Sequence, residues 1–156
     1  MATQYTAGLT TGEVLTAATM NSIGAAWETY TPTWVNITVG NGTVVARYSQ
    51  VNKLVTVQMK FTLGSTSAIS GAGGCTMSLP KTSVSAQYDA AASLIGIGGM
   101  YDNAGTNYFG WVSWKSTSTV GFGSLLVNRY QEIYAPSPFT WGTGDILTAS
   151  FTYEAA

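Results

Sequence analysis

The stretch LVTVQMKFTL, residues 54–63, decides the fold because its side chains alternate strictly between apolar and polar. Successive side chains of a strand point to opposite faces of a sheet, so one face of this strand is apolar and the other is polar. That pattern is typical of an antiparallel sheet with one buried and one solvated face. The residues that we expect to point inward are Val55, Val57, Met59, Phe61 and Leu63.

Segments with the same alternation lie on both sides of this stretch. Residues 35–39 alternate, and Gly40-Asn41-Gly42 after them is a strong hairpin signal before a strand over about 43–50. A closing strand is expected over 145–153. About eight short strands separated by turn signals predict an all-β antiparallel sandwich or small barrel. The closing strand should turn four side chains inward, namely Leu147, Ala149, Phe151 and Tyr153.

The first thirty residues differ from the rest of the chain. Met20, Ile23 and Trp27 are spaced to share one face of a short helix. A helix of this length is marginal in water by itself, so its apolar face must lie on the β-domain, on a sister subunit or on a foreign surface. We therefore expect residues 1–30 to form an arm with a short helix and residues 31–156 to form the β-sandwich domain.

The composition excludes several classes of function. The 156 residues include no His and one Cys, which rules out Ser-His-Asp and Cys-His catalysis, His-ligated metals and an intrachain disulfide. Six basic residues and a net charge of -1 leave no electrostatic footprint for nucleic acid. We expect neither a signal peptide nor a membrane-spanning helix, because the sequence shows no basic start followed by an apolar segment and no apolar run of membrane-spanning length. We expect no nucleic-acid partner, no membrane partner and no cofactor.

The fraction of charged residues is unusually low. It is 8%, against about 25% in ordinary soluble domains. A surface with so little charge gives little colloidal repulsion, so a free monomer should associate. Three interpretations of this low charge are open. The protein is a subunit of an assembly, a very stable extracellular module, or a plain neutral β-domain.

Paired carboxylates are the one catalytic arrangement that the composition leaves open. A polysaccharide depolymerase needs two acids that face each other across a sugar bond. The seven acids form no close motif, and most fall in predicted turns or near the termini. We therefore expect the protein not to be an enzyme.

Aromatic residues carry the strongest hint of a binding surface. They make up 12% of the chain, and Trp and Tyr suit both sugar stacking and protein interfaces. On the strand around 108–114, Phe109 and Trp111 share one face while Tyr108 and Trp114 share the other. One face can be the core, and the other is covered by loops, by a subunit or by a glycan. The candidate residues for subunit or glycan contact are Tyr101, Tyr108, Trp111, Trp114, Tyr130 and Tyr134.

Several motifs together resemble a recurrent domain of tailed-bacteriophage virion proteins, which occurs in tail fibres, minor tail proteins and head-surface proteins. The resemblance covers most of the chain. It rests on WETYTPTW (27–34), VGNGT (39–43), ARY (46–48), VNKLV (51–55), MKF (59–61), the ending FTW (139–141) with Gly144-Asp145 and YEAA (153–156), and the start GEVLTAA (12–18) with Met20-Asn21.

The resemblance implies a jelly-roll-like β-sandwich, usually a homotrimer, on a phage particle assembled in the host cytoplasm. The chain has no shaft, no collagen-like repeat and no heptad stretch. This favours a capsid decoration or short head-spike protein bound to phage capsid or tail proteins. The alternative is a tail-fibre or tail-tip protein that binds a host-surface glycan. In the favoured hypothesis the residues that attach the protein to the virion are Tyr5, Leu9, Val14, Leu15, Met20, Ile23 and Trp27.

Overall fold

A computed structural model describes residues 26–71, 73–126 and 129–156. This part of the chain is all-β, with twelve strands and no helix. The strands are β1 (Glu28–Thr29), β2 (Trp34–Val35), β3 (Ile37–Thr38), β4 (Thr43–Val51), β5 (Leu54–Thr62), β6 (Ala68–Ile69), β7 (Thr76–Ser78), β8 (Leu94–Asp102), β9 (Thr106–Ser116), β10 (Thr119–Leu126), β11 (Arg129–Glu132) and β12 (Ile146–Glu154).

Ten of these strands form one antiparallel sheet. Its order is β1-β4-β5-β12-β8-β9-β10-β7-β2, and β11 pairs with β10 beyond the point where β7 ends. The strands β3 and β6 pair separately. The large sheet curls around its own apolar face into a half-barrel, so a single sheet supplies most of the core.

The alternating stretch forms an inner strand of this sheet, between β4 and β12. In β5 the side chains of Val55, Val57 and Phe61 are fully buried and that of Met59 is nearly so, as is that of Leu63 directly after the strand. All nine residues of β5 pair with β12, whose Leu147, Ala149, Phe151 and Tyr153 are also buried. Both predicted sets of inward residues are confirmed.

The two edges of the sheet meet across the core. Trp34 of the β2 edge packs its ring 5.8 Å from that of Phe61 in β5 and 6.2 Å from that of Phe122 in β10. Tyr30, next to the β1 edge, donates its hydroxyl hydrogen to Sδ of Met77 in β7 over 3.8 Å. Because β1 and β2 are neighbours in the chain, residues 30–33 cross from one edge to the other and cover the open side.

Two expectations need correction or restriction. The all-β antiparallel class is confirmed, but a jelly-roll-like sandwich of two packed sheets is not, because β12 hydrogen-bonds directly to both β5 and β8 and makes the sheet continuous. The expected helix lies mostly outside the described residues. Its described end, Ala26-Trp27, is not helical and leads into β1, which pairs with β4 at Tyr48 and Arg47.

Candidate functional site

The two faces of β9 point in different directions, one toward the core and the other away from it. Tyr108, Val112 and Trp114 point toward the core, together with Val120 and Phe122 of β10. Phe109 and Trp111 point the other way, onto what we call the outer face of the sheet. The alternation expected from the sequence is therefore present.

Trp114 is a core residue. Its side chain is 7% exposed, its Nε1 donates a 2.7 Å hydrogen bond to Oγ of Ser83, and its ring stacks on Tyr88 at 5.7 Å. The loop over residues 79–93, which contains both partners, covers the ring. Trp114 therefore offers no free surface to a glycan or to a subunit.

The other sequence-predicted aromatics do not converge on one site. Tyr108 is half-buried and stacks on Phe139 at 5.3 Å, whereas Tyr101 lies on the outer face and is 39% exposed. Tyr134 is half-buried, and its hydroxyl accepts a 2.6 Å hydrogen bond from Gln131. The backbone of Tyr130 pairs with Leu125 in the β10–β11 ladder.

Trp111 lies on the outer face but is covered. Its indole crosses Gly123 of β10, where a Cβ would come within 2.0 Å of Cζ2. The side chain is 9% exposed and lines a cleft of about 440 Å³ together with Leu94, Lys115 and Glu132. Lys115 and Glu132 form an ion pair in this cleft. The cleft thus combines an aromatic group, a donor and an acceptor.

The most exposed apolar side chains occupy the outer face beside Trp111. Phe109 is 83% exposed and Ile97 is 72% exposed, and they are diagonal neighbours on β9 and β8. We call these two residues the ridge. Sequence reasoning placed Phe109 on the same face as Trp111 but did not select Phe109 or Ile97, since alternation alone does not show which face of a strand is uncovered.

A shallow groove of about 530 Å³ runs from the ridge across β12 to β4. We call it the outer groove. One row of paired residues crosses it, Val45, Lys60, Thr148, Gly99 and Phe109. Gly99 has no side chain, which lowers the floor beside Phe109, and Val45 at the far wall is 55% exposed.

Two cations line the outer groove, and the described residues around it include no acid. Arg47 donates two hydrogen bonds to Oε1 of Gln58, at 3.1 and 2.7 Å. Its guanidinium also lies 4.6 Å from the ring centroid of Trp27. Trp27, a predicted attachment residue, is 43% exposed and marks the point where the chain enters the sheet. The other predicted attachment residues lie outside the described part of the chain.

Three of the described carboxylates serve the fold. Asp145 is 3% exposed, and its two oxygens accept hydrogen bonds from the backbone N–H groups of Asn103 and Gly142 at 2.9 and 2.6 Å. Asp102 accepts from the next turn's backbone at Ala104, and Glu28 accepts from the Tyr48 hydroxyl at 2.7 Å. These contacts hold turns and strand edges in place.

The described ranges contain no cluster of three or more His, Cys, Asp or Glu side chains that could bind a metal. They also contain no helix with the length and apolarity needed to cross a bilayer. The chain matches no protein-family model, no curated protein and no solved structure.

Proposed function

We propose that this protein is a non-enzymatic structural component of a tailed-bacteriophage virion. It acts as a homotrimeric capsid decoration or head-spike protein, anchored by its N-terminal segment and assembled onto the particle in the host cytoplasm. The assignment to a phage particle is supported by the motifs that resemble phage virion domains. In this proposal the half-barrel takes the place of the jelly-roll-like sandwich of that family.

The observation that carries the proposal is the exposure of the ridge on a surface with very few charged residues. Phe109 and Ile97 are 83% and 72% exposed in a chain with 8% charged residues. Exposed apolar patches of this kind mark interaction sites. A protein that works in many copies on a shell buries such a patch permanently, and low net charge then favours association over repulsion.

The entry point of the chain supports an N-terminal anchor. Trp27 is exposed at the rim of the sheet, directly after the segment that contains the attachment residues. Three such segments in a trimer would bind a shell with an avidity far above the affinity of one, since the second and third contacts form at high effective concentration.

Deletion of residues 1–26 tests the anchor. The truncated protein should stay folded and oligomeric but should no longer bind phage particles in a co-sedimentation assay. Full-length protein with Leu54→Ser is the matched control, because Leu54 is an exposed apolar residue in the β4–β5 hairpin, outside the deleted segment. Decoration by the truncated protein would refute the anchor. Antibody labelling of intact particles then tests where on the virion the protein lies, and we expect the label on the head.

The second candidate is a tail-tip protein that binds a host-surface glycan. The observation in its favour is the cleft in which Trp111 meets the Lys115–Glu132 ion pair, since aromatic rings and charged hydrogen-bonding groups are suited to sugars. Binding to host envelopes that disappears in Lys115→Ala and Glu132→Gln, and persists in Leu54→Ser, would favour this function. Absence of binding across host envelopes would contradict it.

A further inference from the structure

The outer face exposes enough apolar surface for a stable protein contact. The exposed fractions of Phe109, Ile97 and Val45 are 83%, 72% and 55%, which correspond to on the order of 400 Å² of mostly apolar surface. A standard interface buries about 800 Å² on each partner, and somewhat over half of that area is non-polar. The ridge makes up most of this area, so it supplies most of the apolar share that one partner contributes to an interface.

We propose that a second copy of this chain covers the outer face, with the ridge of one copy seated in the outer groove of the next. This inference rests on the proposed function, because it names the surface through which the proposed homotrimer forms. It replaces the six scattered aromatics with one contiguous surface, the ridge and the outer groove, whose lining includes none of the six.

The ridge and the far wall of the groove are complementary and well separated. Phe109 on β9 and Val45 on β4 are four strand spacings apart in the sheet order, or roughly 19 Å. A ridge that binds the far wall of a neighbour's groove makes a head-to-tail contact, and such contacts close into a ring when the rotation between copies allows it. Three copies would form the ring that the proposed function requires.

The cations of the groove suit an incoming aromatic ring. Lys60 lies directly between Val45 and Thr148 in the cross-strand row, and it has no ion pair with any described residue. Arg47 lies on the same strand as Val45, two residues further on, and already holds the Trp27 ring. A neighbour's Phe109 placed over Lys60 would gain a cation–π contact in addition to apolar burial.

Disulfide trapping between two cysteine variants tests this contact. Tagged Val45→Cys protein is mixed with untagged Phe109→Cys protein under mild oxidation, and a mixed disulfide on a non-reducing gel is the expected product. Within one copy the two positions are too far apart for a disulfide, whose Cβ atoms lie about 4 Å apart. The native Cys75 does not interfere, because it is fully buried and burial raises the pKa of its thiol to about 12.

The oligomeric state of the full chain supplies the second measurement. Phe109→Ser should raise the dissociation constant of the oligomer roughly tenfold or more in analytical ultracentrifugation, whereas Leu54→Ser, at a residue 57% exposed outside the groove, should not. Because Phe109 is 83% exposed, its replacement leaves the fold of each copy intact.

Three results would overturn the inference. They are a monomeric full chain, an oligomer unchanged by Phe109→Ser, and disulfides that form only between two Phe109→Cys copies. A monomer whose residue-109 thiol becomes reactive only after residues 1–25 are removed would assign the face to the chain's own N-terminal segment instead. Failure of the proposed function is a separate result, since particle labelling would be negative while the mixed disulfide still formed.

Discussion

The indole Nε1 of Trp114 donates a 2.7 Å hydrogen bond to the hydroxyl of Ser83, and both side chains are buried. The bond joins the middle of the sheet to the loop that covers it. Ser83 also pairs with the C-terminal end through an isolated bridge to Ala155. Ser83 thus connects β9 through its hydroxyl and the end of the chain through its backbone.

Ser83→Ala should lower the free energy of unfolding by about 1–3 kcal/mol, because it leaves a buried indole N–H without its acceptor. Urea denaturation followed by tryptophan fluorescence measures the change. The double variant with Trp114→Phe should lose less than the sum of the single variants, since the phenyl ring has no N–H to satisfy. Strict additivity would show that the hydrogen bond contributes nothing.

Gly123→Ala should destabilise the protein by about 1–3 kcal/mol through overpacking, because a Cβ at this position overlaps the Trp111 indole. Gly142→Ala is the matched control, since its Cβ would lie 3.9 Å from Oδ2 of Asp145, which is ordinary van der Waals contact. Thermal unfolding of both variants compares them. Equal melting temperatures would mean that the indole does not rest on Gly123.

Asp145→Ala should cost about 2–3 kcal/mol, because two backbone N–H groups lose a buried charged acceptor. Asp102→Ala removes a comparable turn contact at a half-exposed position and should cost less than about 1 kcal/mol. Chemical denaturation of both variants tests the difference. A larger loss in Asp102→Ala would contradict the assignment of Asp145 as the main acceptor of this loop.

The protein should lose stability in alkali. Burial, and secondarily the Glu132 carboxylate, raises the pKa of the Cys75 thiol from 9.0 to about 12. Burial, and then the hydrogen bond to Glu28, raises the pKa of the Tyr48 phenol from 10.0 to about 12. Burial also raises the pKa values of Tyr30 and Tyr153 well above the ordinary range. In each group the protonated form is favoured by folding.

The sign of the effect follows from proton binding. Below pH 9 both states hold these protons, so the contribution to stability is complete. Between pH 9 and 12 the unfolded chain releases them while the folded chain keeps them, so the free energy of unfolding falls. Urea titrations at pH 8, 10 and 11 should show the fall, and Cys75→Ala should reduce it. A flat profile to pH 11 would contradict the burial of these groups.

The sequence predicted the inner face of the sheet because alternation is a local property. Val57 and Phe61 are four positions apart, an even number, in every register that β5 could adopt, so their shared face follows from the backbone alone. The same reasoning correctly separated Phe109 from Tyr108. It could not tell which of the two faces would be covered.

The candidate site was only partly predictable for that reason. Trp114 was proposed as a surface residue, and it is buried because the loop around Ser83 and Tyr88 folds over it. That loop lies about thirty residues away in sequence, and no local pattern links it to β9. Ile97 was not selected at all, because an isolated apolar residue between glycines has the same signature whether it faces the core or the solvent.

By itself the sequence determined the antiparallel β class and the inward residues of β5 and β12, since each follows from side-chain alternation within a few residues. It did not show that the stretch over 35–39 divides into β2 and β3 at Asn36. Only the tertiary structure decided that one continuous sheet curls into a half-barrel and that Phe109 stays 83% exposed while Trp111, two residues along the same face, is 9% exposed. Trp111 finds Gly123 opposite it on β10, which leaves room for the indole to lie flat. That pairing depends on the register between strands, which is fixed by the packing of the whole core.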